Sequence, residues 1–425
     1  MIVPTQLRIA RLAATPAVHR AFQWLHLHQP QLRRWHLDIV RIPAPPFAEE
    51  ARAAWFLERF QELGLTNPHI DVVGNVLAEL PGSNHTANDS PVILLSAHLD
   101  TVFPAQTSTE PIEQDTRILA PGACDNAAGL SALLGLAAAL RHAELGAAVT
   151  ILFAANVGEE GEGDLRGMRH LFTASPYASR IAGALALEGS GSSAVVTRAL
   201  ASRRFRVTVT GPGGHAWTDA GAPNPILMLA RALLALEALP SLAAPAGSPR
   251  TTLNIGQIAG GTSINSIPES AVASIDLRST DAAELQAAEE ALRSTLKHWI
   301  LDPPISNVHL SHGSVSNPSV ALSIEIIGDR PGGSLADDSQ LLTTLRAVDR
   351  HLNLRTEPGL GSTDANIPLS LGIPAIAIGA GGLGGGIHTL QEWYDPTGRN
   401  NALRRILLTL LDTAQLAVPQ SSSAP

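Results

Sequence analysis

The sequence predicts an α/β protein, a layered sheet with helices on both faces, interrupted by a smaller α+β domain. Three observations carry this. Apolar runs of strand length, "PVILLSAHL", "AVTILFAAN" and "RIAGALALEG", lack polar alternation, as strands buried on both faces do. Stretches with helical spacing separate them, which is the order of an α/β layer. After Glu188 the pattern switches to strands with one wet face, and it returns to α/β near the carboxyl end. A chain of 425 residues is also long for one core.

Taken in order, residues 14–63 have helical spacing, broken at "RIPAPPF", where proline forces an extended turn. "AEEARAAWFLERFQELG" then resumes a helix that stops at Gly64. "IDVVGNVLAEL" and "PVILLSAHL" read as strands, "NAAGLSALLGLAAALRHA" as a helix, and "AVTILFAAN" and "RIAGALALEG" as strands. "RRFRVTVTG" alternates cleanly, and the helix "NPILMLARALLALEAL", the strands "TTLNIGQIAGG" and "SAVASIDLRST", the helix "AAELQAAEEALRSTLKHWI" and the strand "SVALSIEIIGD" follow it. This βαββαβ order suits a small sheet with helices on one side. The inserted domain is placed at 200–330 and the larger one at 1–199 with 331–425. "PSLAAPAGSPR" and "LDPPISNVHLSHGSVSNPS" read as loops of the insert, and "PQSSSAP" as a disordered tail.

Composition narrows the function. A formal net charge of -9 argues against a general nucleic-acid or anionic-membrane binder, which needs a basic face. No run of about 18 apolar residues occurs, so no membrane span is expected. Arg8, Arg11 and Arg20 interrupt the start of the chain, which reads as an amphipathic helix and not as a signal peptide. Cys124 is the only cysteine, which excludes an intrachain disulfide and a thiolate zinc knuckle and fits a cytoplasmic location. Lys297 is the only lysine, which disfavours Schiff-base chemistry.

The polar residues at strand ends are the informative ones. His98 and Asp100 end one strand, Asp125 opens a helix after "APGACDN", and Glu159 and Glu160 follow "TILFAANVG". Glu188 follows "GALALE", and His388 follows the Gly-rich "IGAGGLGGGI". In open α/β sheets, ligands bind beyond the carboxyl ends of strands. Carboxylates gathered there repel one another unless positive charge sits among them, and one or two divalent cations supply it.

At this point the chain resembles the dizinc peptidases and deacylases that include glutamate carboxypeptidase, peptidase T, acetylornithine deacetylase and succinyl-diaminopimelate desuccinylase. "HLDTV", "CDNAAG", "GEEG", "LEGSG", "GPGGHAW", "GSTDAN" and "GGGIHTLQEWYD" match in type and order, and the insert falls where that family carries its dimerisation lid. The resemblance implies a mixed-sheet zinc-peptidase catalytic domain and a homodimer formed through the lid.

It also implies two divalent metal ions, zinc in the first place, with cobalt or manganese as alternatives. His98, Asp125 and Glu188 would hold one, Asp125, Glu160 and His388 the other, with Asp125 bridging. Asp100 would accept the second ring N–H of His98. Glu159 would be the general base that takes a proton from the attacking water. His215 would steady the oxyanion in the partner subunit's site, and Asn265 and Arg278 would contact substrate.

Asn126 departs from members that carry a second acidic residue there, so the cis peptide after Asp125 is expected from resemblance only. "GSTDANIPLSLGIPAIAIG" leans towards the peptidase T and glutamate carboxypeptidase end, hence an exopeptidase on small peptides. Hydrolysis of N-acyl amino acids on the same site is the alternative.

Simpler readings exist for single residues. Asp125 could be only a helix N-cap, "GEEGEGD" a solvated acidic turn, Arg278 a partner of Asp276 or Glu269, and Asn265 a turn former. "GAGGLGGG" lacks the lysine of a phosphate loop and reads as a close-packed turn. His69, His85, His142, His170, His309 and His312 read as surface or loop residues. A single-domain zinc aminopeptidase would lack the inserted sheet, and a non-catalytic scaffold would tolerate a missing ligand.

Overall fold

The computed structural model describes residues 4–83, 90–239, 242, 248–302 and 320–416. His85, His309 and His312, most of both insert loops and the carboxyl-terminal tail lie outside the described residues. The chain divides into two units, 1–199 with 333–425, and 200–332.

The first unit is built on a nine-stranded mixed sheet. Its centre is four neighbouring parallel strands, in the order Thr150–Asn156, Val92–His98, Ile181–Leu187 and Ala375–Ile378. The first two are buried along their whole length, as their unbroken apolar character requires. Antiparallel strands flank this centre, Val76–Leu80 on one side and Ala194–Ala199 on the other. "IDVVGNVLAEL" is part of a hairpin and not one strand. Thr66–Ile70 pairs with Val76–Leu80, and the Asp71 carboxylate accepts the N–H groups of Val73, Gly74 and Asn75 to close the turn.

Helix Ala127–His142 lies against the central strands and is buried from Ala127 to Leu140. A helix apolar on all sides needs cover on its back. Helices Pro16–Leu27 and Gln29–Arg41 provide it, and the latter comes so close that a Cβ at Gly135 would meet Leu32 at 3.0 Å. At the carboxyl end, helices Gln340–Leu352 and Arg399–Leu416 are joined by a buried bidentate pair, Arg405 to Asp349 at 2.6 and 2.9 Å. No helix among the described residues is long and apolar enough to cross a membrane.

A small four-stranded sheet in the first unit runs Leu383–Gly385, Trp393–Asp395, Arg117–Leu119 and Ile112–Gln114. It brings the turn that carries His388 beside the loop that leads to Asp125.

The second unit is a four-stranded antiparallel sheet in the order Thr251–Gly260, Ser270–Ser279, Ala201–Thr210, Ala321–Arg330. Helices Pro225–Leu236 and Ala282–Leu301 pack on it and share its core, with Phe205, Val207, Leu229, Leu233, Ile275, Leu292 and Leu296 inside. In Ser270–Ser279, burial alternates residue by residue, so Ala271, Ala273, Ile275 and Leu277 face that core.

Candidate metal centre

The parallel strands end at one level, because His98 is in register with Asn156, and Leu187 with Ile378. His98 is itself a strand end, Glu159 and Glu160 lie just beyond Asn156, and Glu188 follows Leu187. Asp125 comes from the turn before helix Ala127–His142, and His388 from the turn between the two strands of a hairpin.

Their side chains meet. His98 Nε2 lies 3.0 Å from Asp125 Oδ1 and 3.3 Å from Glu188 Oε1. His388 Nε2 lies 3.2 Å from Asp125 Oδ2 and 2.9 Å from Glu160 Oε1. Each set offers three ligand atoms within 4.8 Å of one another, and Asp125 divides its two oxygens between the sets. The donors, imidazole nitrogen and carboxylate oxygen, suit zinc and its borderline neighbours. Glu188 Oε2 is buried without a hydrogen-bond partner among the described residues, as expected of an oxygen whose partner is a cation.

The electrostatics of the cluster favour charged imidazoles beside charged carboxylates. Hydrogen bonds to Asp125 and Glu160 push His388 up to about 10. Burial alone would lower His98, but the carboxylates of Asp100, Asp125 and Glu188 around it outweigh burial and raise it. Burial likewise opposes ionisation of Asp125, yet its bonds to His388 and His98 hold it below the carboxylate range. Burial raises Glu188.

The loops that carry these candidate ligands are tied from within. Asn126, and not Asp125, caps helix Ala127–His142, because its Oδ1 accepts the Gly129 N–H at 3.1 Å. The same oxygen accepts the Gly189 N–H, and Nδ2 donates to the Leu187 carbonyl, so Asn126 links the Asp125 turn to the Glu188 turn. A Cβ at Gly129 would sit 2.2 Å from this oxygen, so glycine is needed there. The Asp125–Asn126 peptide is cis. In the Gly-rich turn, a Cβ at Gly384 would meet Cys124 Sγ at 2.4 Å, which is where the lone thiol packs.

Asp100 departs from expectation. His98 Nδ1 donates to the Asp100 main-chain carbonyl at 3.0 Å, and the carboxylate Oδ1 is 3.7 Å away. The carboxylate instead accepts the N–H groups of Glu159 and Glu160, at 2.9 and 2.7 Å. Two fixed main-chain donors claim it, and the nearby carbonyl serves the imidazole. Asp100 therefore still sets the His98 ring, while its side chain places the Glu159–Glu160 turn. Glu159 and Glu160 are both buried, so they are not a solvated acidic turn.

In the second unit, strand Gly214–His215 pairs with Ser266–Ile267, and the Ala216 N–H donates to the Asn265 carbonyl, so His215 and Asn265 are brought together. The N–H groups of Trp217 and Thr218 point at His215 Nδ1, at 3.2 and 3.4 Å, which makes Nε2 the protonated nitrogen. Arg278 donates to Asp276 at 2.6 Å, beside Arg204 on the same carboxylate.

Sequence reasoning missed three buried groups. Glu392 accepts three main-chain N–H groups from the Asp125 loop, and burial pushes it up to about 7. Asp364 accepts from Asn156 at 2.8 Å, and burial likewise takes it to about 7. Arg52 donates to the carbonyls of Ile42 and Leu99, tying the proline-rich turn to the end of the His98 strand. Asp364 and Glu392 stand inside quoted motifs, "GSTDAN" and "GGGIHTLQEWYD", but no spacing rule separates them from the ligands.

Comparison with known proteins agrees with this architecture. Residues 201–299 match the peptidase dimerisation domain, and residues 75–211 match peptidase family M28. A protein of Aspergillus clavatus described as a probable carboxypeptidase is 31% identical over 263 residues, 58% of this chain and 57% of that protein. The match thus spans little more than half of that relative's length. A tripeptidase from Staphylococcus aureus has the same fold with a TM-score of 0.69 at 21% identity, over 90% of this chain and 98% of that one. The Bacillus subtilis YxeP protein, titled a dinuclear metal binding peptidase from the M20 family, gives 0.63 at 16%, over 91% and 98%. Peptidase-family models thus match stretches of both units, and the fold is the one seen in solved peptidases.

Proposed function

We propose that the protein is a metal-dependent exopeptidase that hydrolyses short peptides, of the carboxypeptidase or tripeptidase kind. The observation that carries this reading is Asp125, which turns one oxygen to His98 and Glu188 and the other to Glu160 and His388. Two divalent cations, zinc in the first place, would be held by these two sets. When bound, they would polarise the scissile carbonyl and make the attacking water more acidic.

The chain's own residues do the rest. Glu159, buried and adjacent to a ligand, takes a proton from the attacking water and passes it to the departing nitrogen. Asp100 accepts that residue's main-chain N–H, which fixes the turn that carries the base. His215, held with Nε2–H free to donate, steadies the developing oxyanion, and Arg278 and Asn265 contact the substrate. In this reading His215 serves the partner subunit of a homodimer formed through residues 201–299, the stretch that matches the dimerisation domain.

The names of the relatives support the substrate class, since they are carboxypeptidase, tripeptidase and peptidase. The test is a turnover screen of the zinc-loaded protein on di- and tripeptides and on N-acyl amino acids, with and without chelator. Chelator-sensitive cleavage of peptides supports the reading. Activity confined to N-acyl amino acids would make it a deacylase, and activity indifferent to chelator would contradict the metal dependence.

A further inference from the structure

Glu392 stands four residues past His388, immediately before strand Trp393–Asp395, and is fully buried. Its Oε1 accepts the N–H groups of Cys124 and Asp125, both at 2.7 Å, and its Oε2 accepts that of Gly122 at 3.0 Å. Its main chain is engaged as well, accepting from the Ala120 N–H at 3.0 Å and donating to the Thr389 carbonyl at 3.2 Å. The pairing of Trp393–Asp395 with Arg117–Leu119 is thereby continued by one rung and closed by a side chain. All three donors belong to the loop that ends in Asp125, and Glu392 belongs to the turn that carries His388.

We propose that Glu392 is the positioning residue for the second cation site. It holds the Asp125 loop and the His388 turn in one register, so that Asp125 Oδ2, His388 Nε2 and Glu160 Oε1 converge on a single divalent cation. This rests on the two-cation reading above. The carboxylate is required for its number of acceptors. In a glutamine, the amide oxygen could still serve Cys124 and Asp125, but the amide nitrogen would face the Gly122 N–H, donor against donor. The reverse orientation strands two donors. An aspartate, one methylene shorter, keeps the charge but cannot span all three.

The first cation site, His98, Asp125 and Glu188, shares only Asp125 with this clamp. Its other two ligands leave adjacent strands of the large sheet. Losing Glu392 should therefore weaken one cation far more than the other.

The test is a titration of the metal-free full chain with Co²⁺, read by equilibrium dialysis and by the visible absorption of the bound ion. The parent should bind two equivalents. Glu392→Gln should bind one nearly as the parent does and the other about 10–100-fold more weakly. The weakened equivalent should be the one that His388→Ala abolishes. Glu392→Asp should fall between, and it is judged on the same readout if the glutamine variant does not fold. Tyr177→Phe, which removes a buried hydrogen bond to Glu79 elsewhere in the same unit, controls for loss of stability and should leave both affinities unchanged. The proposal is overturned if the folded Glu392 variants bind both ions within twofold of the parent, or if Tyr177→Phe weakens them as much. A parent that binds fewer than two ions, unaltered by Asp125→Asn, would instead overturn the two-cation reading on which the proposal stands.

Discussion

Asp125 is the residue on which the site turns, since neither set of ligands is complete without it. The carboxylates beside His98 and His388 favour their charged forms, whereas a cation binds the neutral imidazole, so loading with metal should release protons. Proton uptake by the buffer during Zn²⁺ addition, followed calorimetrically in buffers of different ionisation enthalpy, should show release, and affinity should fall as pH falls. Zinc binding without proton release would contradict the ligand set. Glu159→Gln should keep its metal and lose about 10²–10⁴-fold in turnover, and near-parent turnover in a metal-loaded variant would remove Glu159 from the chemistry.

His36 gives a separate pH prediction. It is buried, stacks on Tyr394 and donates from Nε2 to the Ala123 carbonyl at 2.7 Å. Burial lowers it to about 3. The unfolded chain binds this proton below about pH 6.5 and the folded chain does not, so His36 makes stability decline as pH falls from there towards 3. His36→Gln should flatten that decline in urea-unfolding measurements, and an unchanged slope would mean that another group sets it.

Among the elements, the strands and helices that place the ligands were legible in the sequence because their cues are local. Unbroken apolar runs mark the central strands, and the clean alternation of "RRFRVTVTG" marks the inserted sheet. The residues that meet at the candidate site were legible because they stand at strand ends and in motifs. What was not legible depends on how loops meet. The choice of Asp100 between an imidazole and two main-chain donors, and the grip of Glu392 on three N–H groups, are set by loop geometry that no spacing encodes. The hairpin within "IDVVGNVLAEL" was hidden because Asp71 closes the turn with its side chain.

The helix pairing at the carboxyl end supplies an element-scale prediction. Asp349→Ala leaves Arg405 buried without its carboxylate and should cost about 3–5 kcal/mol in denaturant unfolding. A loss under 1 kcal/mol would show that Arg405 finds another partner.

For the whole molecule, catalysis is proposed to need two chains, because His215 lies in the inserted unit that matches a dimerisation domain. Mixing His215→Ala chains with Glu159→Gln chains should then recover part of the activity that each lacks alone. No recovery after verified subunit exchange would put His215 in its own chain's site, or outside the reaction. The account as a whole depends on two cations sharing one carboxylate. Elemental analysis of the purified, dialysed protein tests this most directly. The account predicts two divalent ions per chain, with loss of both from Asp125→Asn and of one from His388→Ala. A parent without bound metal after zinc loading, or an Asp125→Asn chain that keeps both ions, would contradict it.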